Sequence, residues 1–445
     1  MIHQITIYLI IFWLVVLALM VYVRPGIATT LVWSMITLES VLQQGNDFLL
    51  NNSTLINYLI AGIAAMAAFW ALISGKYRKV TIPVQLWLYL SLIGLASLSY
   101  MWSISPDDTF AQLQKNLPYI IAFGFLAPMC VFDEKQLSSA ITVLIYFGAL
   151  VVLGVNFSES GRRGIILMVV KGNEISGNPL AAASFSGYVA FAALFSIFGE
   201  KLTSPKSLVK IAIVVACVAA MIQSGSRGQL LAFGGVAMIF FPILSRAAAK
   251  RSVILTILAA ILIMGAGIIM VDQLGWSKRW DYQQLVDDQF ARIDMLTFML
   301  NQNYKAGPFY WLLGVGSSAS FKFFGGYPHN TLGETLAEEG LIGFLLLCAM
   351  LVISFRQGYS MVKSHALSRR TRVNVSIIVA IFTFDLILSM KEGSLLTSST
   401  SLLSVAMTIA WLSSKLAKTN PSVEVRRAPA PVRFPQNTAQ PQRLN

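Results

Sequence analysis

Charged side chains are scarce in this sequence. Asp, Glu, Lys and Arg make up 12% of its 445 residues, about half the roughly 25% of a soluble globular chain. An ordinary water-soluble domain is excluded on that ground. Cysteine is scarce as well: Cys130, Cys217 and Cys348 are the only three, and each lies inside an apolar run. They read as small hydrophobes, with no disulfide framework and no Cys/His metal spacing. There is no Walker-type phosphate loop and no visible internal repeat. Histidine is limited to His3, His329 and His365.

What fills the chain instead is apolar. Hydrophobic residues account for 56% of it, in long runs separated by short charged clusters. In lipid, each run must satisfy its own backbone hydrogen bonds, so it must be a helix or part of a closed barrel. A spanning helix takes roughly 20 residues. The runs have about that length and do not alternate polar with apolar, which points to helices. The expectation is an all-α polytopic membrane protein with about twelve transmembrane helices, at 5–23, 55–74, 83–101, 118–132, 137–155, 180–199, 208–224, 229–245, 253–271, 340–355, 374–390 and 398–414. The stretch 28–42 is interrupted by Glu39 and either lies in the interface or adds a thirteenth span. The first run, Ile5 to Val23, lacks a basic flank and is long enough to span, so it reads as a retained helix rather than a signal peptide.

The net charge of +13 reflects topology rather than nucleic-acid binding, because the basic residues flank the spans. One set of loops holds Lys76, Arg78 and Lys79; Lys201 and Lys206; Arg246, Lys250 and Arg251; and Arg356, Lys363, Arg369, Arg370 and Arg372. The positive-inside rule makes this set cytoplasmic. The alternate set, 102–117, 156–179, 225–228, 272–330 and 391–397, then faces outward. The N-terminus is cytoplasmic if 28–42 does not span. Residues 1–418 form one membrane domain that includes the long outside loop 272–330. The tail 419–445, rich in Pro, Gln, Asn and Arg, is expected to be disordered and cytoplasmic.

The long loop begins with a helical pattern from about Ser277 to Asn303. Leu285, Ile293, Leu296 and Leu300 can share an apolar face, and Asp288 precedes Arg292 by one turn. A stretch with Gly314, Gly316, Gly325 and Gly326, and with Ser317 and Ser318, follows. His329 closes the loop at the membrane surface. Thr331 and Glu334 fit a capping box, so a helix is expected just after it, its positive end open to an anionic ligand. Gly333, Ala337 and Gly340 give that helix a small-residue face.

Arginines share this outer side. Arg227 lies in the short turn Gln-Ser-Gly-Ser-Arg-Gly-Gln, Arg162 and Arg163 are followed by Lys171, and Arg292 is on the loop helix. Arginine near a membrane is costly unless paired or solvated, which makes each a functional candidate; snorkelling or pairing with Asp287, Asp288 or lipid phosphate is the plain alternative. Guanidinium groups bind phosphate bidentately, and nearby cations keep an imidazole neutral near neutral pH. A neutral histidine among cations suits one reaction class: deprotonation of an acceptor hydroxyl with stabilisation of a departing phosphate. Asp385 sits inside a span and either serves the site or pairs with a basic residue; Lys391 and Glu392 follow it. Glu334, Glu338 and Glu339 stand early in the helix after His329 and can orient it or bind a sugar hydroxyl. The pairs Asp107–Asp108 and Asp287–Asp288 are common in exposed turns, and no metal is expected.

His329-Asn330, nine residues, Gly340, two residues and Gly343 resemble the signature of the O-antigen ligase and polymerase superfamily. Arg227 with three residues before Leu231 resembles its second signature. Leu313-Gly314-Val315-Gly316-Ser317 and Gly177-Asn178-Pro179 resemble further segments of that superfamily, and the likeness runs from about 160 to 345. The resemblance implies a bacterial inner-membrane glycosyltransferase of GT-C type with a periplasmic active site. Its donor would be a glycan on undecaprenyl diphosphate. For a ligase, the acceptor would be lipid A–core oligosaccharide, and the reaction would need no cofactor. It implies catalytic roles for His329 and Arg227 and a substrate-binding role for Arg292, with Arg162 and Arg163 matched more loosely; Asn330, Glu339 and Lys391, close to these in the sequence pattern, are the further substrate-binding candidates. A single large outside loop and a short tail favour a ligase over a polymerase or a protein O-oligosaccharyltransferase. A transporter is the non-enzyme alternative, against which the missing repeat counts.

Overall fold

The computed structural model describes residues 2–44, 47–52, 54–76, 81–157, 160–161, 164–170, 173–176, 179–199, 204–245, 282–397 and 399–419. The expected span 253–271, the loop residues 272–281, Arg162, Arg163, Lys171, Gly177, Asn178 and the tail from 420 lie outside the described residues.

Among the described residues, eight helices are long and apolar enough to cross a membrane. They are α1 (Ile2–Met20), α3 (Leu55–Ile73), α4 (Val84–Leu98, extended by a 3-10 turn to Met101), α6 (Glu134–Asn156), α7 (Pro179–Ser196), α8 (Pro205–Gln223), α12 (Gly340–Lys363) and α13 (Arg369–Glu392). Between and after them lie α2 (Gly26–Gln43), α5 (Pro106–Ile121), α9 (Arg227–Ser245), α10 (Tyr282–Ala306), α11 (Thr331–Glu338) and α14 (Thr400–Thr419). The chain is a multi-pass helical membrane protein, as its hydropathy requires.

The core forms around α7 and α13. Small residues let their neighbours approach closely: the Phe384 ring fills the space a side chain at Gly187 would occupy, and Val189 does the same at Gly148. Phe191, Phe233 and Phe384 interlock as edge-on or tilted rings. The opposite faces of the outer helices, such as Phe12, Val15 and Leu19 of α1, are exposed, as surfaces turned to acyl chains must be.

Three features depart from expectation. The stretch around 28–42 is neither interfacial nor weak: α2 is a continuous helix with most of its residues buried. At its first residue the Gly26 N–H donates to Gln136 Oε1 at 3.2 Å. At its other end Glu39 accepts bonds from Gln43 Nε2 (2.9 Å) and Asn57 Nδ2 (2.5 Å). These contacts tie the two ends of α2 to α6 and α3, inside the helical bundle. Second, the expected span 118–132 is the tail of a longer rod. α5 runs into a π-turn at Ala122–Leu126 and a short helix at Ala127–Met129. Pro118 interrupts the hydrogen-bond ladder of α5, and Tyr89 Oη donates to the Ile120 carbonyl at 3.0 Å.

Third, the connection after α6 is not wholly irregular. It carries a three-stranded antiparallel sheet, β1 (Ser160–Gly161), β2 (Gly164–Val170) and β3 (Asn173–Ser176), in the order β1-β2-β3. The run Ile165-Ile166-Leu167-Met168-Val169-Val170 is rich in β-branched residues, which suits a strand.

Candidate active site

His329 stands at the end of the bundle where α9 begins and α13 finishes. Its backbone is left-handed, with φ at +59°, a region that histidine enters more often than most side chains. The helix expected after it is present as α11. Its cap, however, is Asn330, whose Oδ1 accepts the Gly333 N–H at 2.9 Å, and not the Thr331–Glu334 pair. Those two are engaged elsewhere. Thr331 hydrogen-bonds Ser399, and Glu334 Oε1 accepts from Ser394 Oγ (2.8 Å) and the Leu395 N–H (3.2 Å). Both contacts tie α11 to the segment after α13.

The His329 ring packs edge-on against Tyr327, with centroids 4.7 Å apart. Burial first, and then the positive charge of Arg292, hold the imidazole below its ordinary pKa. It is therefore neutral at neutral pH and able to accept a proton.

Arg292 comes from α10, which extends from Tyr282 to Ala306, close to the helix expected in the long loop. The inward stripe of α10 includes Leu296, Met299 and Asn303. Leu296 covers Gly333, Met299 is buried, and Asn303 Nδ2 donates to the Ala337 carbonyl at 2.9 Å. Ile293, expected on the apolar face, is 57% exposed instead, because docking through Leu296 and Asn303 turns it outward. Arg292 Nη1 donates to the Lys391 carbonyl at 2.9 Å.

That bond reaches the end of α13, where Lys391 Nζ lies 3.4 Å from Glu392 Oε1. Gln229 Nε2 donates to both oxygens of Glu392, at 2.8 and 2.7 Å. The Lys391 side chain crosses directly over Gly228: a Cβ there would meet its Cδ at 2.8 Å and its Cε at 2.9 Å. The turn bearing Arg227 is thus pinned to α13 by the two residues that follow the arginine. Four segments far apart in sequence bring Arg227, Arg292, His329 and Lys391 to one end of the molecule.

The glycine stretch before His329 is the support for this arrangement. Val315 and Gly316 donate from their N–H groups to the carbonyls of Ala337 (3.1 Å) and Glu338 (3.0 Å). Gly314 and Gly316 have φ of +73° and +103°, and a Cβ on Gly314 would strike the Glu338 backbone. Only glycine allows that turn and that approach. Glu338 completes the dock: Oε2 accepts the Ser318 N–H at 2.6 Å and Oε1 the Ser320 N–H at 2.9 Å. Burial nevertheless raises the Glu338 carboxyl to about 7. Burial, then the neighbouring Glu338, also pushes Glu334 and Glu339 well above the usual carboxylate range.

No family profile matches the chain. No curated protein matches it either.

Of the residues singled out in the sequence, Arg292, His329, Asn330 and Lys391 meet at this end, with the Arg227 turn beside them. Glu339 does not join them. It is completely buried beneath the Gly314–Ser317 loop, where helix α12 starts. Arg162 and Arg163 lie outside the described residues. Among the described residues Asp385 has no basic partner; the Tyr188 hydroxyl donates to its two oxygens, at 2.6 and 2.5 Å. Both line a cavity of about 130 Å³ that reaches up to Tyr327 and Glu392. Asp107 and Asp108 open α5, where Ser105 Oγ donates to Asp108 at 2.5 Å. Among the described residues, no three His, Cys, Asp or Glu side chains are grouped to hold a metal. Sequence reasoning passed over Gln229 and Tyr327. Gln229 had one available signal, its place two residues after Arg227 in the same polar turn.

Proposed function

We propose that the chain is an O-antigen ligase: a glycosyltransferase that moves a glycan from undecaprenyl diphosphate to lipid A–core oligosaccharide. In this reading it resides in the bacterial inner membrane with about twelve spans in a GT-C architecture, and its His329 end faces the periplasm. The observation that carries the reading is His329, an imidazole held neutral by burial and by Arg292, beside a carbonyl-anchored arginine, Lys391 and the Arg227 turn. The resemblance of the His329–Gly343 and Arg227–Leu231 patterns to the superfamily signatures supports the same reaction class.

The chemistry follows from the donor. A glycosyl diphosphate is already activated, so no nucleotide is consumed. Arg227, Arg292 and Lys391 receive the negative charge that builds on the diphosphate. His329 takes the proton from an acceptor hydroxyl as that oxygen attacks the anomeric carbon. The bond from that carbon to the diphosphate oxygen breaks, undecaprenyl diphosphate leaves, and one displacement inverts the centre. A positioned base supplies roughly 10²–10⁴-fold, and preorganised cations at the leaving group contribute on the order of 10²–10³-fold per donor.

The test is transfer by the purified protein from undecaprenyl-diphosphate-linked glycan to lipid A–core, with EDTA and without nucleotide. A glycan ladder on lipid A–core is the expected result. Longer glycan on the undecaprenyl carrier alone would make the chain a polymerase. Failure with both acceptors would reopen the protein O-oligosaccharyltransferase and transporter readings.

A further inference from the structure

The end of the bundle opposite His329 carries a second polar cavity, of about 650 Å³, bordered by the α1–α2 turn and by the first turns of α6 and α13. Helix α13 joins the two ends: Arg370 and Lys391 are 21 residues apart on it, or about 32 Å at 1.5 Å per residue. Three cations line the cavity, Arg24, Lys135 and Arg370, against one carboxylate, Glu134. The carboxylate is already engaged, since Thr371 Oγ1 donates to Glu134 Oε2 at 2.5 Å. Arg370 Nη2 is held by Ser138 Oγ at 2.9 Å, which fixes its guanidinium over the opening and leaves most of its five donors unspent. The Ser139 and Ser368 hydroxyls at the rim are already committed: Ser139 Oγ donates to the Lys135 carbonyl at 2.9 Å, and Ser368 Oγ donates to Thr371 Oγ1 at 2.7 Å, since Thr371 gives its own proton to Glu134.

One wall of the same cavity is apolar. Met20, Ile27 and Val143 line it, and the lipid-facing surface beside them continues with Leu19, Val23 and Tyr146, all exposed. A cluster of cations at the end of a bundle, opening sideways onto an exposed apolar face, matches one kind of molecule: a phosphodiester headgroup with acyl chains beneath it. Basic pockets between membrane helices recognise anionic lipids in this way.

We propose that this cavity binds the headgroup of an anionic phospholipid in the leaflet opposite the His329 site. Arg24, Lys135 and Arg370 pair with the phosphate, and the acyl chains lie along α1 and α6. The site is independent of the transfer reaction. It ties α1, α6 and α13 together at their shared end.

Native mass spectrometry of the full chain in neutral detergent, titrated with phosphatidylglycerol, tests this. Saturable binding of lipid to the wild type is expected, with phosphatidylcholine of the same chains binding at least tenfold more weakly. Each basic side chain near a lipid phosphate is worth about fivefold in affinity. The triple variant Arg24→Gln, Lys135→Gln, Arg370→Gln should therefore lose roughly a hundredfold. Lys206→Gln, Lys305→Gln and Arg356→Gln together make the same change in net charge outside the cavity, and should lose less than fivefold. If the first triple variant does not fold, Arg370→Gln alone should still show about a fivefold loss. Equal binding of the two lipids, or equal losses in the two triple variants, overturns the proposal. So does full competition by millimolar inorganic phosphate, which would mark a site for soluble phosphate.

Discussion

Replacing His329 with asparagine separates the chemistry of this residue from its backbone. Position 329 has φ at +59°, a conformation asparagine adopts readily and most other residues do not. His329→Asn therefore keeps the turn into α11 while removing the proton acceptor. Loss of a positioned base is worth roughly 10²–10⁴-fold, or about 2.7–5.5 kcal/mol of transition-state stabilisation. His329→Ala removes the same base and adds about 1–2 kcal/mol of left-handed strain. Glycan transfer to lipid A–core, read as kcat/KM from the ladder, should fall by that factor in both variants. Thermal unfolding should drop in the alanine variant and stay near wild type in the asparagine variant. A folded His329→Asn protein that transfers glycan within tenfold of wild type would refute the base assignment, and with it the reaction proposed for this end of the molecule.

Three further outcomes follow from the same geometry. Arg292 lowers the His329 pKa, second to burial. Arg292→Gln should raise it toward the ordinary imidazole value, so the acid limb of the kcat/KM profile, where the base is lost to protonation as pH falls, moves to higher pH. Gly228→Ala places a methyl group against the Lys391 stem; displacing that ammonium by about 1 Å should reduce transfer by up to roughly a hundredfold with little change in melting temperature. Glu338→Ala strands the N–H groups of Ser318 and Ser320, each costing about 1–3 kcal/mol. Its melting temperature should fall clearly, and less in Glu338→Gln, which keeps an acceptor.

Hydropathy made most of the bundle legible, because a helix in lipid needs a continuous apolar run and little else. It left α2 open for a physical reason. Thr29 and Thr30 are fully buried there, and their hydroxyls donate to the carbonyls of Ala127 (2.7 Å) and Ala140 (2.8 Å). A composition scale counts such residues as polar and cannot see the partner that satisfies them. The site was legible to the extent that charge is rare. In so apolar a chain His329, Arg227, Arg292 and Lys391 stand out singly, and all fall at one end. What holds them was not legible: Gln229 to Glu392, Arg292 to the Lys391 carbonyl and Leu296 on Gly333 join segments whose meeting depends on the whole bundle. The burial of Glu338 and Glu339 was not legible either, because the glycine loop that covers them comes from a separate segment.

The π-turn at Ala122–Leu126 has a consequence for insertions and deletions. A wide turn holds one residue more than an α-helical turn, and one residue is about 100° of rotation. The polar side of α5 and the buried side of 127–129 are therefore set at an angle a regular helix could not give. Removing one residue from 122–126 would take out the wide turn, leaving only the proline breaks at Pro118 and Pro128. Asp107, Asp108, Gln112 and Lys115 would then swing about a third of a turn around its axis, while the far half stayed in place. A single-codon deletion there is in effect a rotation of the polar face of α5, and a compensating one-residue insertion anywhere between 117 and 126 should reverse it.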